Sequence, residues 1–117
     1  MITVYGIKNC DTVKKARAWL TAQGVEHRFH DLRQDGLDAA KLGTWAAAVG
    51  WERLLNKSGT TFRKLPPERK EGLDEASALA LMLEQSTLIR RPVVEAGAQL
   101  LVGFKEAEFQ ALAEVVA

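Results

Sequence analysis

Ile2-Thr3-Val4-Tyr5-Gly6-Ile7-Lys8-Asn9-Cys10-Asp11-Thr12-Val13-Lys14-Lys15 reads as a short strand, a tight turn and a helix that begins at the chain's only cysteine. Ile2, Val4 and Ile7 are apolar, and the β-branched and aromatic content of residues 2–7 suits a buried strand. Gly6 ends that run, and Asn9 or Asp11 is available to cap the helix. From Thr12 to Gln23, Val13, Ala16 and Leu20 fall on one face, with Lys14, Lys15 and Arg17 largely off it. That is a helical period, and Gly24 closes it.

A thiol in the first turn of a helix faces backbone N–H groups without intrahelical partners and the positive end of the macrodipole. Both favour the thiolate. Settings of this kind lower the pKa of a free cysteine from about 8.5 to roughly 3.5–7.5. Lys8, Lys14 and Lys15 add positive charge, while Asp11 opposes them at short range. A buried, inert cysteine is the competing reading for any lone Cys, and the strand–turn–helix context around Cys10 favours the reactive one.

Composition narrows the function classes around that thiol. At 117 residues the chain is expected to be one domain, long enough to bury a core without staples. A formal net charge of +1 makes no electrostatic case for nucleic acid or an anionic membrane. One cysteine rules out an internal disulfide or a thiolate metal cluster built from this chain alone. No apolar run approaches the ~20 residues that span a bilayer, and residues 1–15 lack a signal-peptide layout. The expected location is the cytoplasm, where a thiol stays reduced.

Beyond Gly24, the segment Val25 to Leu32 alternates apolar and polar and predicts a half-buried second strand, in parallel pairing with a right-handed crossover. His27 and His30 would face opposite ways on such a strand and make no metal pair. Gln34-Asp35-Gly36 is a turn. Asp38 is the expected N-cap of a helix to Val49 whose stripe is Leu42, Trp45, Ala46 and Val49, and Trp51 to Leu55 predicts a short further helical turn. Trp19, Trp45 and Trp51 lie in no basic, aromatic-interleaved strand, so packing rather than base stacking is their expected role. Residues 56–70 are polar, basic and broken by Gly and Pro, which predicts a surface loop with one helical turn around Phe62 to Leu65. Such a loop is a solvated face or the lining of a site for an anionic or peptide-like ligand.

Asp74 starts the most apolar helix, with Ala76, Leu79, Ala80 and Leu83 as its expected stripe. Pro92 opens a β-hairpin of Val93-Val94 and Gln99 to Gly103 around Ala96-Gly97-Ala98. The last helix carries Phe109, Leu112, Ala113 and Val116 at i, i+3, i+4 and i+7. The order is βαβ, a helical insertion over 35–87, then ββα. It predicts an α/β fold, a four-stranded mixed sheet flanked by helices, with its halves at 1–34 and 88–117.

Three segments carry a resemblance: Val4-Tyr5-Gly6-Ile7-Lys8-Asn9-Cys10-Asp11-Thr12-Val13-Lys14-Lys15-Ala16, Leu54-Leu55-Asn56-Lys57-Ser58-Gly59-Thr60-Thr61-Phe62-Arg63, and Leu88-Ile89-Arg90-Arg91-Pro92-Val93-Val94. Together they resemble the arsenate reductase/Spx family of the thioredoxin-like fold, most closely its YffB-like branch. The resemblance implies that Cys10 is the nucleophile, that Pro92 is a cis-proline beside it, and that Arg91 binds the oxyanion or ligand. The chain departs from the arsenate reductases at Asn56, where they keep an arginine, and no arginine matches a further one after the third strand. Arg63 and Arg53 are the candidates to compensate. Spx-type regulators usually carry a second cysteine three residues after the first, and here that position is Val13.

A monothiol site leaves attack on a disulfide or oxidised substrate followed by release through an external thiol. The expected activity is a glutathione-dependent thiol reductase or transferase. No cofactor would be bound, and glutathione would be the cosubstrate. Lys8, Asn9, Asp11 and Thr12 would line the thiolate, and Arg91, Pro92 and Val93 the glutathione. Asn56 and Arg63 are further candidates, and no metal site is expected. Glutaredoxin or a protein disulfide would be the partner. The alternatives are a redox-sensing, RNA-polymerase-binding regulator and a glutathione-coupled arsenate reductase.

Overall fold

The apolar first residues, buried at every position from 2 to 6 except the half-buried Thr3, form a central strand of the sheet. The computed structural model describes residues 2–116, with the backbone alone at 116. It holds β1 (Ile2–Gly6), β2 (His27–Asp31), β3 (Val93–Ala96) and β4 (Gln99–Val102) in the order β2-β1-β3-β4. β1 pairs parallel with β2, setting Val4 beside Phe29, and antiparallel with β3, setting Val4 beside Val94. β3 and β4 form the predicted hairpin around Gly97-Ala98. Gly97 has φ +60, a left-handed conformation that suits a residue without Cβ. The chain divides into two compact units, residues 1–36 with 91–117, and residues 37–90.

The first unit contains the whole sheet. Helix α1 (Asp11–Ala22) and helix α7 (Glu106–Val116) supply Val13, Ala16, Leu20, Phe109 and Leu112 to one core with Ile2, Val4 and Val94. Each large aliphatic or aromatic side chain buried there contributes about 1.5–3 kcal/mol over leaving it in water. Phe109 is fully buried, with Trp19 edge-on at 5.9 Å and Phe104 at 4.8 Å between ring centroids. The last position of the α7 stripe read from sequence, Val116, lies outside the described side chains. This βαβ…ββα sheet with flanking helices is the expected thioredoxin-like α/β fold.

Several boundaries differ from the sequence reading, two of them at the ends of α1. β2 begins at His27 rather than Val25, because the Val25 N–H still donates to Leu20 O at 2.9 Å and the chain is leaving the helix there. Neither Asn9 nor Asp11 caps α1. Cys10 holds the N-cap in an extended conformation, and its carbonyl accepts from Lys14 N at 3.0 Å.

The second unit is helical. α2 (Ala39–Val49) is capped by Asp38, which accepts from Lys41 N at 2.7 Å. α3 (Trp51–Leu54), α4 (Thr60–Arg63) and α5 (Pro67–Lys70) are single turns. The basic loop thus contains more than the one helical turn expected, with Pro67 at the start of α5, where its missing N–H costs nothing. α6 (Glu75–Glu84) opens with a capping box between Asp74 and Ser77. A 3-10 turn, Ser86–Leu88, leads to a bridge between Leu55 and Ile89.

α6 buries Ala78, Leu81 and Met82, and leaves Ala76, Ala80 and Leu83 exposed. The stripe read from sequence is therefore wrong. The helix is apolar nearly all round (Ala-Ser-Ala-Leu-Ala-Leu-Met-Leu), so periodicity alone could not orient it. Trp45 is 1 % exposed and belongs to the core, while Trp51 is half-buried with Lys57 Nζ 5.9 Å from its ring centroid. Among the described residues no helix is long and apolar enough to cross a membrane.

Candidate active site

The turn after β1 delivers Cys10 to the start of α1. Cys10 N–H donates to Ile7 O at 3.3 Å, closing the turn. The cysteine is half-buried, and it packs against the core cluster of the first unit. Its side chain makes no capping hydrogen bond to the helix N–H groups, so the sulfur stands at a helix start whose first-turn amides retain capacity for an anion. Lys8, Asn9, Asp11 and Thr12 around it are exposed.

Gly6 allows this close approach of helix to strand. A Cβ built there would lie 2.6 Å from Val13 Cγ2 and 3.0 Å from Cγ1. Val13 therefore faces β1, and position 13 belongs to the core rather than to the surface around Cys10.

Arg91–Pro92 is a cis peptide bond, as the resemblance implied. The antiparallel register sets Tyr5 beside Val93. Continuing that register, the β1 exit toward Cys10 and the β3 entry from Arg91 and Pro92 meet at one end of the sheet. Pro92 O accepts from Gly103 N at 2.8 Å, and Pro92 and Val93 are buried while Arg91 is half-buried. The first unit thus gathers Lys8, Asn9, Cys10, Asp11, Thr12, Arg91, Pro92 and Val93 at one sheet end. Asn56 and Arg63 belong to the second unit. There Asn56 Oδ1 accepts from Ser58 N at 3.3 Å and Ser58 Oγ at 3.0 Å, and Arg63 is exposed in α4.

Sequence reasoning missed Asp31. It is 5 % exposed, the one buried charged residue among those described. Its Oδ1 accepts from Arg33 N at 2.8 Å and Gln34 N at 3.0 Å. The Gln34 amide does most to hold its carboxyl below the ordinary aspartate range, against the opposing effect of burial. The Arg33 amide, and the backbone amide and ammonium of Lys8, act in the same direction as Gln34. The signal was present: an Asp ending a strand, two residues before a polar turn, is an Asx-turn former.

The histidines do face apart. The His30 ring lies tilted against Tyr5, 4.8 Å between centroids, with Nε2 2.6 Å from Gly36 O, while His27 Nδ1 lies 3.2 Å from Val25 O. Tyr5 Oη donates to Glu95 Oε1 at 2.7 Å. Among the described residues no cluster of His, Cys, Asp and Glu is arranged to hold a metal ion.

The ArsC family model matches residues 5–112. The solved YffB protein is 50 % identical to this chain, covers 95 % of it and 97 % of its own length, and superposes with a TM-score of 0.92. An arsenate reductase related protein from Brucella melitensis is 52 % identical, with 94 % and 92 % covered and a TM-score of 0.78. The global transcriptional regulator Spx of Streptococcus agalactiae is 29 % identical over 113 residues, 95 % of this chain and 82 % of its own.

Proposed function

The chain belongs to the ArsC family, and on that premise we propose that it is a glutathione-dependent monothiol reductase or transferase acting through Cys10. The observation that carries the reading is the lone half-buried thiol at the N-cap of a 12-residue helix, its side chain uncommitted to capping. With no second cysteine in the chain, the resolving thiol comes from solution.

In the first step the Cys10 thiolate attacks the glutathionyl sulfur of a mixed disulfide. The S–S bond breaks, the departing sulfur leaves as a thiolate and takes a proton, and Cys10 is left disulfide-bonded to glutathione. In the second step the thiolate of a free glutathione attacks that glutathionyl sulfur. Oxidised glutathione leaves and Cys10 is regenerated as thiolate. The net exchange releases the substrate thiol and consumes one free glutathione, which leaves joined to the substrate's glutathionyl group as oxidised glutathione. Arg91 would hold a glutathione carboxylate through its planar fork, and Pro92 and Val93 would line the bound tripeptide. Lys8 and the Asp11 and Thr12 amides would favour the anionic sulfur.

The test is turnover of the mixed disulfide between glutathione and β-mercaptoethanol, coupled to glutathione reductase. Wild type should turn over and Cys10→Ser should not. A Cys10→Ser protein with full turnover overturns the reading.

Similarity to Spx over nearly the whole chain supports a second reading, a regulator that acts through an RNA polymerase subunit. Retention of polymerase subunits on an immobilised Cys10→Ala protein would favour it. The relative described as arsenate reductase related supports a third, arsenate reduction with glutathione. A single-turnover assay with arsenate and glutathione separates it from disulfide exchange.

A further inference from the structure

The basic stretch of the helical unit is left unused by the chemistry at Cys10. Residues 53–70 carry Arg53, Lys57, Arg63, Lys64, Arg69 and Lys70 against a single acid, Glu68. Lys57 lies 5.9 Å from the Trp51 ring centroid, and Lys70 Nζ donates to Arg63 O at 3.0 Å. Around α4 and α5 the same stretch opens a groove of about 420 Å³ whose walls include Thr60, Lys64, Leu65, Pro66, Arg69 and Gln85, a volume in the range of small-molecule sites. Lys64 is exposed there and, among the described residues, makes no hydrogen bond or ion pair. Arg69 turns its planar fork on a carboxylate of the chain itself. Its Nη1 donates to Glu84 Oε1 at 3.2 Å and its Nη2 to Oε2 at 2.6 Å. The two side chains are 40 % and 51 % exposed, so water competes for the pair and holds its strength down. Glu84 is also the last residue of α6, where a negative charge stands against the helix dipole. The groove thus holds one uncommitted cation and one whose fork is filled by a weakly retained internal carboxylate.

We propose that this groove binds a phosphate monoester, with Lys64 and Arg69 on the phosphate oxygens and Glu84 as the internal competitor that the ligand displaces. A monocarboxylate would only replace Glu84 like for like. A phosphate monoester carries about −1.5 to −2 charges at pH 7 and three strong acceptor oxygens, enough to answer both cations. The Arg69 fork suits two of those oxygens and the Lys64 ammonium the third, with the Thr60 hydroxyl and the Gln85 carboxamide as further donors in the same walls. The groove is larger than a phosphate alone, and Leu65 and Pro66 offer an apolar wall to the organic part. Neither cation belongs to the residues gathered around Cys10, so binding here is measured independently of the thiol chemistry.

The probe is phenyl phosphate, titrated into the full chain at constant ionic strength and followed by backbone amide shifts. Wild type should show saturable shifts at residues 60–65, 69 and 85. Benzoate, with the same ring and a single charge, should bind about tenfold more weakly. Lys64→Ala should weaken phenyl phosphate about tenfold through the loss of one charge-assisted contact. Glu84→Gln should tighten it about threefold by freeing the Arg69 fork. Glu75→Gln makes the same change of charge in the same helix without touching Arg69, and should leave Kd near wild type. Lys57→Ala, which removes a cation that lies on Trp51 and outside the groove, should do likewise. Shifts that do not saturate by about 20 mM, or that fall outside the groove, overturn the proposal. So do equal losses in Lys64→Ala and Lys57→Ala, or equal responses to Glu84→Gln and Glu75→Gln, since either would reduce the effect to general attraction toward a basic face.

Discussion

Replacing Gly6 by alanine tests how β1 and α1 are held together. The added Cβ would sit 2.6 Å from Val13 Cγ2 and 3.0 Å from Cγ1, whereas carbon atoms rest at about 3.5–4.0 Å. About 1 Å of separation must therefore open. Val13 is 2 % exposed, and a valine in a helix has one strongly preferred rotamer, so the side chain cannot swing away. Overpacking of this kind costs roughly 1–3 kcal/mol. Gly6 is outside the left-handed region, so the alanine also gains about 0.4–1 kcal/mol from a less disordered unfolded chain. The net expectation is a loss of about 1–2 kcal/mol, a fall of roughly 4–8 °C in Tm at about 4 °C per kcal/mol for a chain of this size.

Urea denaturation of Gly6→Ala, Val13→Ala and the double variant completes the cycle. Val13→Ala alone removes two methyls from the core and should cost about 1.5–2.5 kcal/mol. In its background the alanine at position 6 has room, so Gly6→Ala becomes neutral or mildly stabilising, and the coupling energy should reach about 1–2 kcal/mol with unchanged m-values. An equal cost of Gly6→Ala in both backgrounds would refute the close approach as its source. The same contact seats α1 under Cys10, so the iodoacetamide rate of Cys10 should fall in Gly6→Ala and recover in the double variant.

Phe109→Ala, which empties a fully buried ring site edged by Trp19 and Phe104, should cost about 3–5 kcal/mol by urea denaturation. On α6, Leu81→Ala should cost about 2–5 kcal/mol, whereas Leu83→Ala, on the exposed side, should stay within about 0.5 kcal/mol of wild type. A reversal of those two costs would restore the stripe read from sequence. Among the described residues, three carboxylates are held below their ordinary values: Asp31 through the Gln34 amide, Asp74 through the Ser77 amide and hydroxyl, and Glu84 through the Arg69 guanidinium. A depressed folded pKa gives stability that is full above the unfolded value, 3.8 for Asp and 4.5 for Glu, and that is lost as pH falls through the folded value. The urea midpoint should therefore be flat from pH 7 to about 5 and drop below about 4, and Asp31→Asn should drop less steeply.

The legible parts of the fold were those where one physical signal dominated. Val13, Ala16 and Leu20 announced the buried face of α1 because charged residues fill the other faces, and Asp38 and Asp74 announced helix starts because a short acceptor side chain satisfies amides that nothing else reaches. α6 failed for the opposite reason: with apolar residues on every face, only tertiary packing selects which of them is buried. Cys10 was legible as a helix-start thiol, although its role as the N-cap itself was not, since cysteine is a poor capping residue and the neighbouring Asn9 and Asp11 are good ones. Asp31 was missed because alternation along a strand assigns polar residues to solvent, and its Asx-turn signal was not weighed against that. Its burial depends on backbone amides from Arg33 and Gln34, and only the folded turn brings those to it.

Position 13 joins the packing argument to the chemistry. It is three residues after Cys10, one helical turn along α1, where the resemblance to Spx-type regulators places a second cysteine. Here that position holds a valine whose two methyls press on Gly6. A side chain that fills the helix–strand contact serves the core, and a valine there offers no thiol. The demands of the core and of an internal resolving thiol therefore compete for one residue, and this chain gives it to the core. Under the proposed mechanism, the rate at which the Cys10 mixed disulfide clears must then scale with the external thiol concentration. A saturable, glutathione-independent clearance would mean that some other group on the protein performs the second displacement.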